Sequence, residues 1–157
     1  MSLRKDSARD FKETLLSYAR SDLLCFRTPD QPELKSRQEE RFSPLLDWAA
    51  EKTGLVLTAT DELMPPPLAD KSEKALSRYL DDLPLRMLED LFFLTRTFGS
   101  IVLGLAVLER RLDIEEAFAL SLTEELWQNE RWGTDAEALS RRAHILKEAR
   151  EFLERKT

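Results

Sequence analysis

Carboxylate, amide and tryptophan side chains are concentrated between residues 123 and 138, where the sequence reads TEELWQNERWGTDAEA. Two adjacent carboxylates, Glu124 and Glu125, could serve acid–base catalysis if a deep pocket raised the pKa of one of them. The same carboxylates beside Trp127 and Gln128 could instead contact a protein partner, because aromatic side chains are enriched at protein interfaces. This run is therefore the candidate site.

Helical phasing divides the run if residues 113 to about 132 form one helix. A rotation of about 100° per residue places Glu125 and Trp132 on the apolar stripe that faces the core, and Trp127 nearly opposite it. Trp127 is then expected to be more exposed than most tryptophans and to offer a protein contact, unless the connector or the first helix covers it.

A carboxylate on the core side needs a partner, because an unpaired buried charge costs several kcal/mol or more. Glu125 is therefore expected to pair with an arginine or to lie at the rim of a site. The candidate arginines are Arg110, Arg111, Arg141 and Arg142.

The single cysteine, Cys25, and the single histidine, His144, carry no recognisable chemistry. They can form neither an internal disulfide nor a Cys/His zinc site, and nothing near Cys25 in sequence activates its thiol. The sequence also lacks a glycine-rich phosphate loop, a zinc-protease helix and a Gly-x-Ser-x-Gly elbow. The sequence therefore predicts that Cys25 is a small buried residue. It also predicts no cofactor, no metal site and no enzymatic activity.

Composition excludes several other classes of function. The 157 residues, 42% of them hydrophobic, predict one domain over residues 1–157, and the presence of only four glycines favours helices over β-structure. A net charge of −6 disfavours nucleic acids and anionic membranes. The first residues have no apolar signal segment, and Arg96 interrupts the longest apolar stretch, so no membrane insertion is predicted.

Apolar spacing predicts the helices that position the candidate site. The predicted helices cover residues 7–24, 33–41, 44–53, 70–80 and 135–154, in addition to the helix over 113–132. Pro44 is expected to separate the second from the third, Gly54 to end the third, and residues 55–60 to form a short extended connector. The caps expected for the last two helices pair Asp113 with Glu116 and Thr134 with Glu137.

The stretch from Pro84 to Leu112 is apolar on nearly every side, as in a central buried helix or a close pair of helices. The small residues Gly99, Ser100 and Gly104 are expected to let a neighbouring helix approach closely. The last helix should pack on this core through Ala136, Leu139, Ala143, Leu146, Ala149 and Leu153. The predicted fold is all-α, a compact multi-helix domain around a central hydrophobic helix pair.

Three blocks of sequence, in this order and at these separations, resemble one family across nearly the whole chain. The first is YARSDLLCFR over residues 18–27, followed by Gln38 and by PLLDW over 44–48. The second is GSIVL over residues 99–103. The third is EELWQ over residues 124–128, with WG at 132–133 and DAEA at 135–138. The chain is similar to the ATP synthase assembly chaperones of the ATP-twelve family.

This resemblance implies an ATP-independent chaperone that binds the unassembled alpha subunit of the F-type ATP synthase head, in the bacterial cytoplasm or the mitochondrial matrix. It implies partner-binding roles for Glu124, Glu125, Trp127 and Gln128, one of the two glutamates matching the family's essential glutamate. The structural motif residues are Tyr18, Asp22, Asp47, Trp48, Gly99, Trp132 and Gly133. The chain resembles the helical C-terminal domain alone, without the family's β-rich N-terminal domain.

Two other classes of function stay open at this point. A generic helical adaptor would bind a partner outside ATP synthase. An acid–base enzyme would need a deep pocket in which Glu124, Glu125 and Asp135 converge.

Overall fold

The computed structural model describes residues 2–155, with side chains described from residue 7 onward. Over this range the chain is built from α-helices and a single 3₁₀ helix, which confirms the all-α prediction. The 3₁₀ helix covers Leu23–Cys25. The α-helices are α1 (Ser2–Arg20), α2 (Pro32–Thr53), α3 (Asp70–Asp81), α4 (Leu85–Phe98), α5 (Ile101–Leu108), α6 (Ile114–Ser121), α7 (Thr123–Trp132) and α8 (Ala136–Arg155).

The helices α4 and α5 form the predicted central pair and supply half of the largest fully buried side chains. Gly104 allows their close approach, since a Cβ there would lie 2.7 Å from Thr95 Oγ1. Gly99 does something else: its φ of 71° ends α4, and a Cβ there would meet nothing within 4 Å. Ser100 then caps α5 by accepting a hydrogen bond from Leu103 N (3.1 Å).

Helix α2 runs through Pro44 without a break, so the prediction of two separate helices is wrong. An internal proline costs about 3 kcal/mol, whereas each large apolar side chain that becomes fully buried contributes about 1.5–3 kcal/mol. Several such residues lie on both sides of Pro44, which itself stays exposed, so packing outweighs the lost hydrogen bond. They are Leu34, Phe42, Leu45 and Leu46. Gly54 ends the helix as predicted, with φ 83°.

The connector after α2 is extended, as predicted, and is bonded to a segment far away in sequence. Thr60 N donates to Cys25 O (2.7 Å), and Arg27 N donates to Thr60 O (2.9 Å), which makes an isolated parallel bridge between Thr60 and Phe26. This bridge fixes the connector against the segment that follows the 3₁₀ helix.

The predicted capping box of α6 is present, because Glu116 N donates to Asp113 Oδ1 (2.8 Å) and Asp113 N donates to Glu116 Oε1 (3.2 Å). The predicted cap of α8 is wrong by one residue. Asp135, and not Thr134, accepts the hydrogen bond from Ala138 N (2.6 Å).

Helix α8 follows its predicted packing stripe only in its C-terminal half. Its N-terminal half leaves Ala136, Leu139 and Ala143 exposed, since packing on α4 and α6 begins farther along the helix. There the Phe152 ring stacks on Phe93 of α4 (3.9 Å between centroids).

Candidate functional site

The run rich in tryptophan and carboxylate forms a helix of its own. Leu122, with φ −105° and ψ 18°, interrupts the backbone after α6, and α7 starts at Thr123 with a new helical phase. The buried residues of α7 are consequently Thr123 and Trp127, whereas Trp132 is 73% exposed. The stripe predicted through Glu125 and Trp132 is therefore wrong, and so is the exposure predicted for Trp127, which is 5% exposed.

Trp127 is the buried aromatic side chain of α7. The guanidinium of Arg131 lies 4.2 Å from the centroid of the Trp127 ring, and the Trp132 ring is nearly perpendicular to it with the two centroids 6.3 Å apart. Its buried Nε1 has no hydrogen-bond partner, which is unusual for a buried indole. A ring so enclosed is not available to a partner in this conformation.

Helix α2 packs beside α7, whereas the sequence analysis names the connector or the first helix as the possible cover of Trp127. Arg37 donates to Glu130 (3.0 Å), and Arg131 forms an ion pair with Glu33. These two contacts join α7 to the first turns of α2.

A cleft of about 300 Å³ separates α7 from the segment around the 3₁₀ helix and from α2. Glu124, Glu125 and Gln128 line its α7 wall, so the structure brings three of the four predicted contact residues to one cavity. The facing wall is formed by Leu23, Phe26, Thr28, Gln38 and Phe42. The cleft thus sets carboxylate and amide groups opposite two aromatic rings.

The two glutamates differ in what they can offer. Glu125 lies 3.0 Å from Arg142 of α8, which confirms the prediction of an arginine partner. The contact is an ion pair without hydrogen-bond geometry, because the buried Nε and Nη2 of Arg142 have no hydrogen-bond partner. Glu124 and Gln128 are exposed. Glu124 has no ion-pair partner among the described residues, so Glu124 and Gln128 are the groups most available to a ligand.

Asp22 fixes the far wall to the core. Its carboxylate is fully buried and accepts hydrogen bonds from Ile101 N (2.7 Å), Ser100 Oγ (2.8 Å) and Leu24 N (3.1 Å). Burial raises the pKa of Asp22 to about 6, although each of these hydrogen bonds acts to lower it. The predicted structural role of Asp22 thus consists in joining the start of α5 to the 3₁₀ helix.

Arg27 and Gln38 hold the segment that carries Phe26. Gln38 Oε1 accepts from Thr28 N (2.9 Å), and Gln38 Nε2 donates to Thr28 Oγ1 (3.2 Å). Arg27 Nη1 donates to Leu24 O (2.6 Å), and its guanidinium lies 5.6 Å from the centroid of the Phe42 ring. Buried polar groups of this kind give the facing wall a defined position.

The other motif residues divide into two groups. Gly99 and Gly133 end helices at positive φ, and Tyr18 and Trp48 are half-buried against the core, so these four fit an architectural role. Asp47 and Trp132 have exposed side chains and do not fit it.

Cys25 is buried, as predicted, and its pKa is raised to about 12, chiefly by burial and next by the charge of Asp22. His144 is exposed on α8 beside Glu148. Among the residues that the structure describes, no three His, Cys, Asp or Glu side chains are grouped so that they could hold a metal ion. Within the same part of the chain, no helix is long and apolar enough to cross a membrane.

Sequence reasoning missed the exposed pair Leu63 and Met64. Leu63 is 94% exposed and Met64 is 63% exposed. They line a shallow depression of about 760 Å³ together with Phe26 and Thr28, on the other side of the segment that borders the α7 cleft. The available signal was two large apolar residues in a connector, between Glu62 and the prolines at 65–67.

Comparison with known proteins gives this geometry a context. A family model described as ATP12 chaperone protein matches residues 2–50. A candidate chaperone from Agrobacterium tumefaciens is 35% identical with a TM-score of 0.84, and the match covers 92% of this chain and 55% of that chain. Atp12 from Paracoccus denitrificans is 35% identical with a TM-score of 0.83, over 90% of this chain and 60% of that chain.

A mutant form of the Paracoccus denitrificans protein is 34% identical with a TM-score of 0.86, and here the match covers 93% of this chain and 62% of that chain. The chain therefore spans between 55% and 62% of the length of these solved relatives.

Proposed function

We propose that this chain, a member of the ATP12 chaperone family, is an ATP-independent chaperone for assembly of the catalytic head of F-type ATP synthase. Its proposed client is the unassembled alpha subunit, and its proposed location is the bacterial cytoplasm or the mitochondrial matrix. The observation that carries this proposal is the α7 cleft, in which Glu124 and Gln128 face Phe26 and Phe42.

A chaperone that uses no nucleotide must recognise its client by surface complementarity alone. Such a surface combines apolar area, which supplies affinity, with directional polar groups, which supply specificity. The α7 cleft has both, and specific contacts fix its walls, α7 through its ion pairs with α2 and the facing wall through Asp22 and Gln38. Preorganised walls lose little conformational entropy on binding, which favours affinity.

The contact residues that we propose are Glu124 and Gln128, with Glu125 contributing to the cleft while paired to Arg142. Trp127 takes a positioning role because it is enclosed. The carboxylates of this region also engage different neighbours, since Asp135 caps α8 and Glu125 contacts Arg142. That divergence supports binding over acid–base catalysis.

The test is co-expression of the chain with the alpha subunit or the beta subunit, followed by co-purification. We expect the alpha subunit to be retained and the beta subunit to be lost. The double variant E124A/Q128A should retain about tenfold less alpha subunit, the effect of about 1.4 kcal/mol of lost contact energy.

The matched control is S140A/E151A, which truncates two exposed polar side chains of α8. Circular dichroism and thermal melting should show all variants folded. Failure of the wild-type chain to retain alpha subunit, or equal retention of beta subunit, would refute the proposal. Unchanged retention by E124A/Q128A would refute the site assignment alone.

A further inference from the structure

Leu63 and Met64 form the most exposed pair of adjacent large apolar side chains in the described part of the chain. Such side chains normally find cover in a folded domain, and exposed apolar area beside a cleft is typical of an interaction site. We call the surface made by Phe26, Leu63 and Met64, with the carboxylates Asp30 and Glu62, the connector surface.

The connector surface is held in place by specific contacts. The bridge between Thr60 and Phe26 anchors its base, and Thr60 Oγ1 accepts a hydrogen bond from Glu62 N (3.0 Å). Lys35 Nζ contacts Asp61 (2.8 Å), and the prolines at 65–67 restrict the backbone that follows. Leu63 and Met64 are therefore presented outward by a constrained segment.

The charge of the connector surface indicates what it can bind. Asp30 and Glu62 are exposed, and neither has an ion-pair partner among the described residues. The nearby cations are Lys35, which pairs with Asp61, and the buried Arg27, which lines the same depression and keeps its positive charge. Three carboxylates, Asp30, Asp61 and Glu62, stand against these two cations, so one negative charge is in excess around the apolar side chains, which is complementary to lysine and arginine.

The connector surface continues into the α7 cleft. Phe26 and Thr28 line both cavities, so they form the ridge between them. Exposed Glu124 lies on the far side of this ridge. A segment that crosses the ridge would meet apolar side chains in the middle and carboxylates on both sides.

We propose that the connector surface is the second half of the client site and binds a segment of the client in which apolar residues are flanked by lysine or arginine. This inference rests on the proposed chaperone function and specifies the chemistry that the client must offer. Apolar side chains of the client pack on Leu63 and Met64, and its cations pair with Asp30 and Glu62.

The test uses the full chain and an array of overlapping peptides that covers the alpha and beta subunits. A designed peptide pair is added, in which leucine and phenylalanine are flanked by lysine in one member and by glutamate in the other. The variants are L63S/M64S, which removes the apolar contact, and D30N/E62Q, which removes the charge. V56S is the control, because Val56 is an exposed apolar residue (59%) of the connector that does not line this depression.

We expect the bound peptides to be apolar and basic, and the lysine peptide to bind at least tenfold more tightly than the glutamate peptide in calorimetry. L63S/M64S should weaken binding at least tenfold and D30N/E62Q about threefold with a smaller salt dependence, while V56S should match the wild type. Leu63 and Met64 are too exposed for their loss to threaten the fold.

Binding of the lysine peptide that is unaffected by both double variants overturns this inference, even where the alpha subunit is retained. Loss of the alpha subunit with intact, variant-sensitive binding of the lysine peptide overturns the proposed client and leaves the surface chemistry standing. A dimer in sedimentation that L63S/M64S dissolves would mean that a second copy of this chain occupies the surface, which also overturns the inference.

Discussion

Replacing Asp22 by alanine tests whether one buried carboxylate joins the core to the wall of the α7 cleft. The change removes the acceptor of three close donors, Ile101 N, Ser100 Oγ and Leu24 N, all within 3.1 Å of it, and of the more distant Val102 N (3.4 Å). Each buried donor left without a partner costs about 1–3 kcal/mol, which sums to about 6 kcal/mol for three donors at the middle of that range.

Removal of the charge partly offsets this loss. Burial raises the pKa of Asp22 from 3.8 to about 6. Since one pKa unit corresponds to about 1.36 kcal/mol, the ionised group is disfavoured by about 3 kcal/mol at pH 7, and alanine relieves that penalty. The expected decrease in the free energy of unfolding for D22A is the difference, about 3 kcal/mol.

Urea denaturation followed by far-ultraviolet circular dichroism measures this free energy, with the slope against urea checked for two-state behaviour. The matched control is D47A, because Asp47 is exposed on α2 and its loss should change stability by no more than about 0.5 kcal/mol. A decrease below about 1 kcal/mol for D22A would show that Asp22 does not hold these donors, and the account of the facing wall would be wrong.

Two further outcomes are expected. Because the folded-state pKa of Asp22 is raised to about 6, the folded chain binds more protons than the unfolded chain between pH 3.8 and about 6, and the contribution of this group to stability falls as pH rises through that window. Urea titrations at several pH values should show this slope in the wild type and lose it in D22N. An identical slope in both proteins would contradict the assignment. Trp127→Phe should lower the free energy of unfolding by less than about 1.5 kcal/mol because the indole N–H has no partner to lose, whereas Trp127→Ala should lower it by about 3–5 kcal/mol by opening a cavity. Thermal or urea denaturation of both variants measures these decreases. Equal decreases would mean that the N–H is hydrogen-bonded in the folded chain.

The central pair of helices could be predicted from sequence because its signal is local and strong. The apolar stretch from Pro84 to Leu112 reports burial, and the pair Asp113 and Glu116 defines a helix start by spacing alone, whereas the break between α4 and α5 at Gly99 was not predicted. Helix starts and buried helices can be predicted from sequence when the residues that define them lie within one short segment.

The continuity of α2 and the phase of α7 could not be predicted, because each is decided by packing between distant residues. Pro44 is tolerated only since α2 is buried on both sides of it, and a single residue, Leu122, resets which side of α7 faces inward. Helical phasing across an unrecognised break assigns every following residue to the wrong face, which is why Trp127 and Trp132 were exchanged.

The candidate site was half predictable. Glu124, Glu125 and Gln128 could be named from composition and resemblance, and they do share a cleft. Phe26 and Leu63 could not, since periodicity within a segment does not report which distant segment will lie opposite. The bridge at Thr60, which brings the connector to Phe26, leaves no trace in local sequence.

The position of α7 should depend on ionic strength, because ion pairs join α7 to the start of α2. Arg37 with Glu130 and Arg131 with Glu33 involve largely exposed carboxylates, and surface pairs of this kind contribute about 0–1 kcal/mol and weaken as salt shortens the screening length. High salt should therefore increase the amplitude of motion of α7, and it should also screen the attraction between the site and a basic client. The affinity measured against salt concentration would then reflect both the increased motion of α7 and the weaker electrostatic attraction. Hydrogen exchange of the α7 amides in the free chain would measure the motion alone.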